Sequence, residues 1–169
     1  MLLRARAEAI QTGDDHIVFF RPDVSTLSFP ELEVSELMVL LIRDRDGDGG
    51  ASEAEYVASV PIDSSGGVEW GTAMAARPAN GDGSLSLASP LSFPLNDAGK
   101  PGHELVFRSD GAPIVNGTAS PTGVPTSGAG TAYLRSATRD YAVVLSPWGD
   151  VDVQVWDVAS GTWQVAIGL

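Results

Sequence analysis

The sequence predicts an α+β domain in which one N-terminal α-helix packs on an antiparallel β-sheet or sandwich of about eight to ten short strands. Three observations predict this class. Within the 169 residues, the segment with the best helical periodicity lies at the start. The 19 glycines and 11 prolines imply many turns and few helices. Near the C-terminus, short apolar segments separated by turns follow one another closely, as in an antiparallel meander.

The predicted helix covers residues 2–11. Leu3, Ala7 and Ile10 lie at positions i, i+4 and i+7 and share one face, while the charged residues lie largely off that face. Gly13 is well placed to end the helix. No N-cap residue precedes the pattern, and we therefore expect that further residues lie upstream in the native protein.

The strands are predicted from apolar and alternating segments bounded by turn residues. Pro90 and Pro94 would confine their segment to a sheet edge. Residues 71–83 and 110–130 are rich in Gly, Pro, Ser, Thr and Ala and are predicted to be surface loops or hairpin tips, with a turn at Asn116-Gly117. The predicted strands are residues 16–21, 36–43, 55–61, 85–95, 104–108, 131–135, 141–146, 150–156 and 162–167.

Composition excludes several classes of function. The 10 Lys and Arg against 22 Asp and Glu give a net charge of −12, which argues against a nucleic-acid partner and against docking on an anionic membrane. The chain has no cysteine, and this excludes thiol catalysis, disulfides and thiolate metal sites. No apolar run approaches the roughly 20 residues that a membrane-spanning helix needs. We therefore expect the chain to fold as a soluble globular domain.

An acidic glycine loop is the sharpest local motif. Residues 44–55 satisfy the pattern D-x-D-x-D-G-x5-E of the EF-hand calcium loop. Calcium prefers hard oxygen ligands, and carboxylates at alternate positions of a tight loop supply them. The predicted ligands are Asp44, Asp46, Asp48, the Gly50 carbonyl, Ser52 and Glu55.

A solvated acidic hairpin turn explains the same residues without a metal. Residues 32–42 are compatible with an entering helix, as an EF-hand requires, and equally with a strand. Ala51 stands where a larger apolar residue is usual, and a second loop of this kind is missing from the sequence. The sequence leaves both interpretations open.

The side chains that usually mark an enzyme are not combined in a known pattern. His16 and His103 lie outside any HExxH or G-x-S-x-G setting, and we expect them to be structural or exposed. Trp148, Trp156 and Trp163 lie close together in the sequence. They fit either a sugar-binding face or the core of a small sheet, and the core is favoured. We therefore expect no enzyme.

The order of three segments resembles the GspH/FimT-like family of type II secretion pseudopilins and type IV minor pilins. The segment LLRARAEAIQTGDDHIVFF, in which the helix runs into the first strand, contains the family's AR-x-x-AI pattern. A strand ending in RDRDGDGG matches the acidic turn that is common in the family. GTAYLRSATRDYAVVLSPWGDVDV carries a Ser-x-x-Gly turn at residues 146–149. The middle of the chain is not matched.

The resemblance implies a structural subunit of a bacterial fibre, with other pilins or pseudopilins as partners. Residues 1–13 would be the C-terminal half of a truncated pilin helix, and residues 14–169 the β-rich globular domain. A leader, a peptidase site and an apolar helix would precede them, so the protein would contact the inner membrane only through that helix and enter a periplasmic or surface fibre. Some FimT-type members bind DNA after the closing glycine, but Asp150 and Asp152 follow Gly149 here, and that activity is not carried over.

Overall fold

The computed structural model describes residues 1–20, 38–47, 52–62, 67–80, 87, 89–93, 103–119 and 125–166. These residues form one α-helix, α1 (Leu2–Thr12), one short 3-10 helix (Glu53–Glu55) and eleven strands. The strands are β1 (Asp15–Phe20), β2 (Met38–Asp44), β3 (Tyr56–Pro61), β4 (Glu69–Trp70), β5 (Glu104–Phe107), β6 (Pro113–Ala119), β7 (Pro125–Ser127), β8 (Gly130–Arg135), β9 (Asp140–Leu145), β10 (Val151–Asp157) and β11 (Thr162–Val165).

The strands form two antiparallel sheets. The order in the six-stranded sheet is β3-β2-β1-β5-β6-β7, and in the five-stranded sheet it is β11-β10-β9-β8-β4. The C-terminal meander predicted from the sequence is confirmed, since β8 to β11 pair in chain order. Within the described residues, the predicted strand 85–95 is represented only by an isolated bridge between Leu91 and Ala132 of β8.

The predicted α+β class is wrong. Among the described residues the helical part is an eleven-residue helix and one 3-10 turn, and the two sheets dominate the fold. The described part of the domain is therefore mainly β, and its helix of eleven residues stands in contrast to the long helix of a pilin fold. The physical reason is that α1 is too short to form a layer of its own and instead fills one part of the core.

The predicted helix is confirmed, but its predicted apolar face is not the face that packs on the sheets. Leu2, Ala5 and Ala9 are buried, whereas Leu3 and Ile10 are 63% and 55% exposed. Small Ala side chains let the helix backbone approach the sheet closely. A pattern based on hydrophobicity alone does not show that small residues are preferred at the packed positions. Gly13, with φ of +78°, ends the helix and donates its N–H to Ala9 O.

The main core lies between the two sheets and beneath α1. It combines the inner face of α1 with Val18, Phe20, Leu105 and Leu145. A second cluster, built around Ile17, Phe19 and Leu40, lies on the other face of the six-stranded sheet. The third lies on the outer face of the five-stranded sheet and contains Tyr133, Trp156 and Trp163. Both sheets thus carry apolar side chains on both faces.

Of the two predicted loops, residues 71–80 do form an irregular segment, whereas residues 110–130 contain the strands β6 and β7. Residues 71–80 pack on the third cluster, to which Ala79, Met74 and Ala75 contribute; we call this segment the strap. The predicted turn at Asn116-Gly117 is wrong, because both residues lie within β6. β6 has the composition of a loop because its pairing with β5 and β7 depends on backbone groups, which the sequence does not reveal.

Candidate functional site

The acidic loop joins two strands and not two helices. β2 ends at Asp44, the 3-10 helix Glu53–Glu55 follows, and β3 begins at Tyr56. β2 and β3 pair antiparallel. The strand interpretation of residues 38–42 is therefore confirmed, and the helix pair of an EF-hand is not formed by the described residues.

Three of the predicted calcium ligands are brought together. Single carboxylate oxygens of Asp44, Asp46 and Glu55 lie within 4.8 Å of one another, close enough to hold a metal ion. Asp44 and Glu55 are buried and Asp46 is exposed. Ser52 is adjacent to Glu55, whereas Asp48 and Gly50 lie outside the described residues.

Glu55 is held by hydrogen bonds from the loop itself. Its Oε1 accepts the N–H of Arg45 at 3.0 Å, and its Oε2 accepts the N–H of Ser52 at 3.1 Å as well as the Ser52 hydroxyl. These bonds, led by that from the Ser52 hydroxyl, lower the pKa of Glu55 below its ordinary value of 4.5. Asp44 Oδ1 likewise accepts the N–H of Gly47 at 2.8 Å. The loop therefore holds the Glu55 and Asp44 carboxylates in place through its own backbone.

A second candidate surface is the outward face of α1. Leu3, Ala7 and Ile10 are exposed along the helix, and we call these three residues the outer stripe. Close to the first turn of α1, an apolar cavity of about 320 Å³ opens between the two sheets. Its lining includes Met1, Leu2, Leu3, Phe20, Trp70 and Val151. The apolar surface of the helix thus continues into this cavity.

Arg6 joins α1 to the turns of both sheets. Its Nη1 donates to the Gly149 carbonyl at 3.0 Å, in the turn between β9 and β10, and lies 3.5 Å from Asp150 Oδ1. A Cβ built on Gly111, in the turn between β5 and β6, would lie 2.7 Å from Ile10 Cδ1 and 3.4 Å from Arg6 Nε. Arg6 therefore bonds the β9–β10 turn, and Ile10 lies against the β5–β6 turn, so that α1 meets a turn of each sheet.

His16 is structural, as expected, whereas His103 is exposed. The His16 ring is fully buried on β1, and its Nδ1 lies 3.1 Å from the Asp14 carbonyl. A carbonyl can only accept, so this nitrogen carries the proton in the bond. Nε2 lies 3.6 Å from Glu8 Oε2 on α1. Nε2 is buried and makes no hydrogen bond, so His16 fills the space between β1 and α1 without bonding them.

Two of the three clustered tryptophans are buried, so the sugar-binding interpretation is wrong. Trp156 and Trp163 are 7% and 2% exposed and meet at an interplanar angle of 67°. A sugar-stacking face needs accessible and roughly parallel rings. Trp148 lies in the turn after β9 and is 78% exposed. The core interpretation of Trp156 and Trp163 is confirmed.

The binding of the strap by four side chains was missed by the sequence reasoning. The Asp140 carboxylate accepts three successive backbone N–H groups, and the Tyr133 hydroxyl accepts the N–H of Ala79 at 3.0 Å. Gln154 both accepts from and donates to the backbone of Asn80. Trp163 Nε1 donates to the Arg77 carbonyl at 2.8 Å. One signal was available in the sequence. Gln154 and Trp156 are two residues apart on β10 and therefore point to the same face, and a tryptophan on that face indicates that something covers it.

Comparison with protein-family models, curated proteins and solved structures found no match to this chain. Within the part of the chain that the structure describes, no helix has the length and apolar character needed to span a membrane.

Proposed function

We propose that this chain is a structural subunit of a bacterial type II secretion or type IV pilus fibre and acts by assembly, without catalysis. The observation that carries the proposal is the outer stripe of α1. A helix with apolar residues on both faces is usual where both faces become buried. The inner face is buried in this domain, and a neighbouring subunit would bury the other. The order of the family motifs in the sequence supports the same function.

The energy available from the outer stripe is substantial. Complete burial of a Leu or Ile side chain contributes about 1.5–3 kcal/mol. Leu3 and Ile10 are both more than half exposed, so burial of the two would contribute about 2–3 kcal/mol per subunit. In a fibre this contribution repeats at every subunit. In this proposal the protein is anchored in the inner membrane before assembly, and its β-domain faces outward from a periplasmic or surface fibre.

The first test is the native gene upstream of the codon for Leu2. We expect a prepilin cleavage motif followed by an apolar helix that continues into α1. A plain signal peptide, or a coding sequence without such a motif, would refute the proposal.

The second test measures incorporation into fibres in the native host. Leu3→Arg and Ile10→Arg should each lower incorporation at least about tenfold, because a charge would be buried in an apolar contact. Val158→Arg is the matched control, since Val158 is 65% exposed and lies between β10 and β11, away from α1. Thermal unfolding of each purified domain checks that the variants fold. Normal incorporation of both α1 variants would contradict the proposal.

Calcium binding is a second candidate function, favoured by the grouping of Asp44, Asp46 and Glu55. The ionised state of Glu55 suits a divalent cation. Extracellular calcium sites commonly have dissociation constants of about 0.1–1 mM. At a Kd of about 1 mM, about 10 mM calcium would stabilise the fold by about 1.4 kcal/mol.

Calorimetry and thermal unfolding test this second candidate. Calcium should give a binding isotherm and raise the unfolding temperature, and Asp46→Ala should abolish both effects. Asp152→Ala removes an exposed carboxylate elsewhere and should leave binding unchanged. Absence of heat and of stabilisation in the unmodified protein would exclude a calcium site in this loop.

A further inference from the structure

The turn between β9 and β10 holds an exposed tryptophan on a rigid support. Trp148 is 78% exposed. The Ser146 hydroxyl accepts the N–H groups of Trp148 and Asp150, and Ser146 and Asp150 also pair through their backbones at 2.9 Å. We call residues 146–150 the Trp148 turn. Because its backbone is already fixed, a partner that buries the indole would pay little conformational entropy.

The Trp148 turn is continuous with the surface of α1. Arg6 on α1 donates to Gly149 O, and a Cβ on Gly149 would lie 3.1 Å from both Arg6 Nε and the Gly111 carbonyl. Gly111 in turn is in contact with Ile10 of the outer stripe. A partner that covers Ile10 therefore reaches the turn that carries Trp148 without crossing another element.

The residues that follow Trp148 in the chain form an acidic border. The Asp150 side chain is 75% exposed and Asp152 is exposed on β10. Arg6 lies 3.5 Å from Asp150 and balances one of these two carboxylates, so one negative charge is left unbalanced beside the turn. Complementarity therefore requires an apolar cavity edged by Lys or Arg on the opposing surface.

We infer that the Trp148 turn is the contact by which the globular domain of the neighbouring fibre subunit docks beside α1, through an apolar pocket bordered by basic residues. This inference rests on the proposed function and adds to it the chemistry of the partner. Tryptophan is enriched among the few interface residues that dominate binding energy, and it supplies a large buried area. The acidic border favours this partner over one with an acidic surface, because like charges across an interface are costly.

Binding of purified neighbours tests the inference. The probes are the soluble domains of the other pilin-like subunits encoded in the same gene cluster, each titrated against this chain. For the subunit that binds, Trp148→Ala should raise Kd at least about tenfold. Val158→Ala, an exposed apolar residue in another turn, should leave Kd unchanged. Asp150→Asn should slow association and flatten its salt dependence, as expected for loss of an attractive charge.

The other outcomes overturn the inference in distinguishable ways. If Leu3→Arg abolishes binding and Trp148→Ala does not change it, the Trp148 turn is not a contact, although the proposed function stands. If Trp148→Ala instead breaks a dimer of this chain seen by sedimentation, the occupant is a second copy and the inferred partner is wrong. Failure of every subunit domain to bind also refutes the inference, and the upstream gene sequence then decides separately whether the proposed function falls with it.

Discussion

Removal of the Asp140 carboxylate is expected to detach the strap and destabilise the whole domain. Asp140 is fully buried at the start of β9. Its Oδ2 accepts the N–H groups of Ala73, Met74 and Ala75 at 3.0, 2.6 and 2.7 Å, and its Oδ1 accepts that of Ala73 at 3.0 Å. One side chain thus satisfies three successive backbone donors of the strap.

The expected magnitude follows from these contacts. A hydrogen bond to a charged group is worth about 1.5–3 kcal/mol, so three donors set an upper limit of about 9 kcal/mol. Ala73 is exposed and the two following residues are half-buried, so water can replace part of the loss in Asp140→Ala. The variant also no longer buries a charge. We expect a net loss of about 3–5 kcal/mol, a large share of the roughly 5–15 kcal/mol that stabilise a domain.

Urea unfolding followed by tryptophan fluorescence measures this loss, because Trp163 is buried beside the strap. Asp140→Asn should cost only about 1–2 kcal/mol, since an amide oxygen in the Oδ2 position still accepts while its NH2 group faces the Ala73 donor. Asp152→Ala is the exposed control and should change stability by less than about 0.5 kcal/mol. A loss in Asp140→Ala no larger than in this control would refute the reasoning.

Three further predictions test other contacts. Gly149→Ala should cost about 1–2 kcal/mol more than Gly161→Ala, because both have positive φ but only a Cβ at position 149 meets neighbours within 4 Å; equal losses in urea unfolding would contradict this. Tyr133→Phe should cost about 1–3 kcal/mol by leaving the Ala79 N–H unsatisfied, and the same assay would show a negligible change if the bond were unimportant. The pKa of Glu55 is lowered in the folded state, so its stabilising contribution is present above about pH 4.5 and is lost as the pH falls through the lowered value. Stability of the unmodified protein should therefore fall more steeply in acid than that of Glu55→Gln, and parallel pH profiles would exclude this role.

Local sequence patterns were enough to predict the helices and strands that are determined by their own residues. α1 and the meander of β8 to β11 were predictable because helical periodicity, alternation and short turns lie within each segment. The acidic loop was located correctly by its motif, but its flanks were ambiguous, because a short apolar run fits a buried strand as well as a helix. Pairing of β2 with β3 resolves that ambiguity through contacts outside each run.

The strap and the packed face of α1 were not predictable, for a different reason. Asp140 and Gln154 bind backbone groups 65 to 74 residues away in the sequence, and a backbone amide carries no sequence signal. On α1, Ala5 and Ala9 are the buried residues, although Leu3 and Ile10, which are exposed, are more hydrophobic. In both cases the decisive quantity is the close approach of two backbones, and this depends on the assembled sheets.

The position of α1 bears directly on the proposed assembly. The inner face of the helix belongs to the same core as residues of both sheets, and Arg6 bonds the turn that connects β9 to β10. A force applied to α1 within a fibre would therefore act on both sheets at once, and extraction of the helix would expose the main core. In the proposed assembly a neighbouring subunit would bury the outer stripe, none of whose members belongs to the buried core that holds the two sheets together. In the proposed fibre, this separation of faces would let the helix serve both folding and attachment.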